Sequence, residues 1–152
     1  MHRLVYDRIL PMFDPCFDYD VWSCRKDKGL HACLERTRRL LAKYQETYIW
    51  RSDVNRFFDS VGHEILKECL SRCIKNSQTF ELCNEIIDSF TPGIPIGNLT
   101  SQIFTNIYLH EFDRLVRHYF KPLAYVRYED DCAVSSGVAF PWAYYHGGGD
   151  KS

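Results

Sequence analysis

Apolar residues recur every three or four positions over four stretches of the chain, the spacing that places them on one face of a helix. Leu34, Leu41 and Tyr44 predict a helix over about 30–44, and Ile65, Leu66, Cys69, Leu70 and Cys73 one over 63–75. Phe80, Cys83, Ile86, Ile87 and Phe90 predict another over about 79–90. The longest stripe, Ile103, Phe104, Ile107, Phe112, Leu115 and Val116, predicts one amphipathic helix from Leu99 to about Phe120. The first 17 residues read as a short helix broken near "PMFDPCF", where Pro11 and Pro15 punctuate it. "TYIWRSDV" (Thr47–Val54), "LAYVRY" and "CAVSS" are rich in β-branched and aromatic residues and read as strands.

The pattern lapses in three places. "SCRKDKG" (Ser23–Gly29) is a basic loop, and "TPGIPIGN" is a turn segment with two glycines and two prolines. The tail "SSGVAFPWAYYHGGGDKS" has no period at all. Helices with a few short strands predict an α/β (α+β) fold in which a small antiparallel sheet is backed by helices.

Bulk properties narrow the class. A chain of 152 residues is one domain by length, and 45% hydrophobic with 15% aromatic residues supplies a core. The net charge of -1 sets up no overall basic field that would draw nucleic acid. "MHRLVYDRIL" is charged throughout and does not read as a signal peptide, and no apolar run approaches the roughly 18 residues a membrane helix needs. The expectation is a cytoplasmic protein whose seven cysteines are free thiols. Cys69 and Cys73, with His63 nearby, match no standard zinc spacing and read as buried reduced cysteines.

Candidate chemistry lies in "AYVRYEDDCAV", where Glu129, Asp130 and Asp131 stand in a row between two strand-like pieces. Adjacent carboxylates repel, and ionising both at close range is costly unless a cation sits between them. A hairpin tip could bring two of them to one spot, and magnesium is a hard ion that takes such oxygen ligands. An acidic tip is also ordinary solvated turn chemistry. A second acid-ended strand, "RSD" at Asp53, changes the balance. Two such strands side by side offer three carboxylates, a set suited to two metal ions roughly 4 Å apart. "GIPIGNLTSQ" then places Gly93 and Gly97 before a helix with a polar first turn, where backbone can approach a flat ligand and an anion is favoured. Ordinary capping by Asn98 explains the boundary equally well.

In this order the three pieces resemble the palm of reverse transcriptases. "DVNRFFDSVGHEIL" is similar to motif A, "GIPIGNLTSQIFTNIYLHEFD" to motif B and "YVRYEDD" to the Tyr-X-Asp-Asp box of motif C, while "YDVWSCRKDKGLHA" resembles the segment before motif A. The resemblance covers roughly Met1 to Val134. It implies a partial fingers and palm-entry segment over 1–46, a palm over 47–136, an irregular tail over 137–152, truncated fingers and no thumb. The implied reaction is RNA-directed DNA synthesis from deoxynucleoside triphosphates on a DNA primer and an RNA template, with room for an accessory protein and no membrane partner. Asp53, Asp130 and Asp131, assisted by the Val54 carbonyl, would hold two Mg²⁺, with Mn²⁺ as a substitute. Phe58 would exclude a 2′-hydroxyl, Ile96, Gly97 and Gln102 would line the nucleotide pocket, and Arg25, Lys26 and Lys28 would touch nucleic-acid backbone.

"IGNLTSQ" is most similar to the enzymes of diversity-generating retroelements, with group II intron and retron enzymes next. Asp27, where a glycine is usual, and Glu129, in the variable position of the box, depart from the pattern. With fingers and thumb missing from the match, weak or no polymerase activity of the chain alone is expected, and the alternative is an inactive nucleic-acid-binding module.

Overall fold

A computed structural model describes residues 2–138. The irregular segment expected over 137–152 falls outside it beyond Val138. The elements are α1 (His2–Phe13) with a 3-10 turn at Asp14–Cys16, α2 (Leu30–Lys43), β1 (Tyr48–Ser52), α3 (Phe57–Ser60), α4 (His63–Cys73) and α5 (Ser77–Asp88). They continue with α6 (Leu99–Tyr108), α7 (His110–Leu115) running into a π-helical turn at Val116–Phe120, β2 (Ala124–Tyr128) and β3 (Asp131–Ser136). This is the mixed fold expected, a small antiparallel sheet backed by helices.

Two expectations are corrected. Pro11 does not break the first helix but lies inside α1. Its ring removes one N–H, and the carbonyl so released, four residues back at Asp7, is on the exposed side where water can replace the bond. The single helix expected over 99–120 is divided at Leu109, whose φ of −84° and ψ of −1° end α6. The break lets α7 turn Asp113 fully inward, against Arg127 of β2 at 2.7 Å. A buried ion pair outweighs the continuity of a surface stripe.

The sheet order is β1-β3-β2, antiparallel throughout. β2 and β3 form a hairpin from Ala124↔Ser135 to Tyr128↔Asp131, and β1 pairs with β3 from Tyr48↔Ser136 to Ser52↔Cys132. Alternation along the strands then gives the sheet two covered faces. Tyr125, Cys132 and Val134 pack with Val116 beneath, while Val126 packs with Trp22 and Cys33 of the α2 side above. The main core lies beside the sheet, where Val5 and Ile9 of α1 meet Leu66 and Leu70 of α4, Ile87 of α5, and Ile103 and Phe104 of α6. All seven cysteines are free thiols. No helix among the described residues is long and apolar enough to cross a membrane.

Candidate active site

The strand register assembles the acids. Asp131 opens β3 and pairs with Tyr128, leaving Glu129 and Asp130 as a two-residue turn. Asp53 follows directly on Ser52, whose partner is Cys132, so the antiparallel register continued by one residue sets Asp53 against Asp131. Burial pushes the Asp130 carboxyl above its usual range, and the neighbouring charges of Asp53 and Asp131 push the same way against its own backbone N–H. Asp131 is turned aside, accepting from Arg51 Nη2 at 3.0 Å in a largely exposed pair. Among the described residues no three His, Cys, Asp or Glu side chains stand close enough to form a ready metal site.

The hairpin is anchored by a buried polar network. Arg127, 1% exposed, donates through Nε and Nη2 to both carboxylate oxygens of Asp113 at 2.7 Å. Its Nη1 donates to Asn106 Oδ1 at 3.1 Å and to the Glu129 carbonyl at 2.7 Å. Asn106 Nδ2 in turn donates to the Ser23 carbonyl at 2.8 Å, and Ser23 Oγ donates to Asn106 Oδ1 and accepts from the Glu129 N–H, each at 3.1 Å. The Tyr125 hydroxyl completes the set by donating to Asp113. Burial and the Asp113 charge hold that phenol far above its usual range. Every buried charge here has its partners, which is the condition under which such a network rigidifies its surroundings. Arg127 is therefore a structural anchor of the hairpin. Sequence reasoning missed Asp113, Asn106 and Ser23, and the available signal was an acid, Asp113, inside the apolar stripe of a helix.

The glycine segment docks on α3. Gly93 has φ +71°, and a Cβ there would lie 1.8 Å from the Phe58 carbonyl oxygen, so only glycine fits. The next N–H, of Ile94, donates to that carbonyl at 2.8 Å. Phe58 is half-buried and meets Phe57 edge-on, with ring centroids 5.5 Å apart. Ile96 is 76% exposed, and Gly97, at φ +88°, has open space around it. Asn98 stands at the N-cap of α6, but its side chain makes no capping bond there. The Val54 carbonyl accepts from the Phe57 N–H at 3.1 Å, leaving a second lone pair. Gln102, on the first turn of α6, donates from Nε2 to Glu129 Oε1 at 3.2 Å.

The basic loop is turned inward more than its composition suggests. Arg25 donates to Asp14 Oδ1 at 2.6 Å and to the carbonyls of Asp18, Val21 and Asp14. Lys28 lies over the rings of Tyr19 and Trp22 and donates to the Tyr19 carbonyl. Lys26 is exposed.

A three-stranded sheet with helices beneath it, an acidic hairpin at its centre and a third acid on the neighbouring strand define a polymerase-like palm. The chain belongs to the reverse transcriptase (RNA-dependent DNA polymerase) family, whose sequence profile matches residues 1–138. Among curated proteins it is similar to an uncharacterized 91 kDa protein in a cob intron of Schizosaccharomyces pombe, 25% identical over 127 residues. It is also similar to Protein YkfC of Escherichia coli K12, 23% identical over 129 residues. The matches cover 76% and 74% of this chain but only 15% and 34% of those relatives, so the chain spans a minor part of their length.

Proposed function

We propose that this chain carries the nucleotidyl-transfer centre of an RNA-directed DNA polymerase of retroelement type. One observation carries the reading: the β1–β3 register places Asp53 beside the Asp130–Asp131 hairpin. Asp53, Asp130, Asp131 and the Val54 carbonyl are the residues that would hold two Mg²⁺, or Mn²⁺ in their place. The donor set fits such ions. It is all oxygen, burial together with the neighbouring charges of Asp53 and Asp131 already pushes Asp130 upward, and freeing Asp131 from its exposed pair with Arg51 costs at most about 1 kcal/mol. When bound, such ions neutralise charge on the triphosphate and activate the attacking 3′-hydroxyl.

The protein's own contribution is placement. Phe58, held by Phe57 on one side and by its backbone bond to Ile94 on the other, would present its ring to the sugar and exclude a 2′-hydroxyl. Exposed Ile96 and open Gly97 leave room for a base and ribose above the first turn of α6, and Gln102 would face them. Lys26 would contact nucleic-acid backbone, whereas the inward bonds of Arg25 and Lys28 favour shaping the loop that presents it. The "IGNLTSQ" stretch supports a diversity-generating element, and the intron residence of the fission-yeast relative supports the group II alternative.

Mn²⁺ titration followed by NMR line broadening tests the site. Resonances of Asp53, Asp130 and Asp131 are expected to broaden first, and the effect to disappear in Asp130→Ala. Broadening that is unchanged in Asp130→Ala would overturn the reading and favour a metal-independent nucleic-acid-binding module. Primer extension on an RNA template with Mg²⁺ is expected to be weak or absent with the 152-residue chain.

A further inference from the structure

Glu129 is the residue of the acidic tip for which the motifs supply no role, and it occupies a demanding position. Its φ is +55°, a region that side-chain-bearing residues rarely adopt and that glycine fills at no steric cost. The turn nevertheless keeps a glutamate, and all three of its polar groups are engaged. The N–H donates to Ser23 Oγ at 3.1 Å, the carbonyl accepts from Arg127 at 2.7 Å, and the carboxylate accepts from Gln102 Nε2 at 3.2 Å. The first two bonds root the turn in the buried network. The third reaches across to another element, the first turn of α6, and joins the two halves of the site.

We propose that Glu129 is a positioning residue that orients the Gln102 amide, so that nucleotide binding depends on the hydrogen bond between the hairpin tip and helix α6. The position of the two partners explains why such a tether is useful. Gln102 is half-buried, and the segment before it is open: Ile96 is exposed and nothing lies within 4 Å of a Cβ on Gly97. A long amide side chain beside open space has several rotamers, and ordering it when a ligand arrives weakens binding. Glu129 fixes it beforehand by holding Nε2 on its carboxylate. One acceptor is all this needs, so the charge of Glu129 is dispensable while its oxygen is not.

The functional half rests on the polymerase reading, and the structural half does not. Two measurements on the 152-residue chain separate them. The side-chain NH₂ resonance of Gln102, assigned by its loss in Gln102→Ala, reports order through its ¹⁵N relaxation. It is expected to be rigid in the parent and in Glu129→Gln, which keeps the acceptor, and mobile in Glu129→Ala. Single-nucleotide extension is then expected to show KM for the templated nucleotide raised roughly five-fold in Glu129→Ala, the loss of about one hydrogen bond, with kcat within two-fold of the parent. Gln102→Ala is expected to match it, the double variant to be no worse than either single one, and Glu129→Gln to restore the parent value. A Gln102 amide still rigid in Glu129→Ala overturns the proposal, as do additive effects in the double variant. If no variant, including the parent, extends a primer and Mn²⁺ broadening is unchanged in Asp130→Ala, the polymerase reading fails, and the relaxation data still decide whether Glu129 orients Gln102.

Discussion

Replacing Gly93 with alanine is expected to be the most damaging single-methyl change near the site, and its magnitude follows from the geometry. The backbone there has φ +71°, which costs an L-residue about 1–2 kcal/mol. The new Cβ would also sit 1.8 Å from the Phe58 carbonyl oxygen and 2.8 Å from two backbone atoms of Asp59, neither of them a flexible side-chain end. The loop must therefore lift away. Doing so breaks the 2.8 Å bond from Ile94 N–H to Phe58, a net loss of about 1 kcal/mol, and draws Ile94, 4% exposed, out of the main core for about 1–2 kcal/mol more. The sum is about 3–5 kcal/mol. Gly97 is the internal control: φ is +88° but nothing lies within 4 Å, so Gly97→Ala carries only the conformational cost of about 1–2 kcal/mol. Urea unfolding followed by far-UV circular dichroism compares the two. With a slope of about 1–3 kcal/mol per molar urea, the Gly93→Ala midpoint is expected to fall about 1 M or more below that of Gly97→Ala. Equal midpoints would refute the claim that the glycine segment is docked against Phe58.

Two further outcomes follow from the polar anchors. Arg127→Ala leaves Asp113 buried and unpaired and is expected to cost about 3–5 kcal/mol in urea unfolding, whereas removing both charges in Arg127→Met/Asp113→Leu is expected to recover more than half of that; a double variant no better than the single one would show that the pair is not the anchor. At the Asp18 carboxyl burial acts upward, but the bonds from Arg117 at 2.8 Å, the Asp20 N–H and the charges of Arg117 and Lys28 outweigh it and leave the group below its usual value. A carboxyl depressed in the folded state adds stability above its unfolded pKa of about 3.9 and loses it as pH falls through the lower folded value. Arg117→Ala is therefore expected to start with a lower urea midpoint at pH 5 and to lose less of it between pH 5 and pH 2.5 than the parent, and an unchanged acid loss would contradict the assignment.

Much of the architecture was legible because it repeats locally. The stripes on α4 and α5 and the β-branched runs of β1, β2 and β3 follow from periods of 3.6 and 2, which any stretch of chain displays without its partners, whereas α2 keeps its expected span but exposes Leu34 and Leu41 and buries Cys33 instead. Asp53, Asp130 and Asp131 could be picked out because acids at strand ends contradict those periods. The errors share the opposite character. Leu109 carries no sign of a helix break, since the break answers to Arg127 waiting on β2, and Pro11 looked like a stop only because its exposure to water was not visible in the chain.

The sequence by itself determined the family and most of the element types, because spacing and residue chemistry are properties of neighbours along the chain. Tertiary structure alone decided that β1 lies against β3 and so carries Asp53 to the hairpin, that Asp131 turns to Arg51, and that Arg25 faces inward. It also decided the partner of Glu129. On paper that residue is a third repelling acid; in the fold it is the acceptor for Gln102, 27 residues away along the chain. Such pairings depend on which distant groups burial forces together, and a polar atom shut away from water must take whatever partner the packing brings within reach.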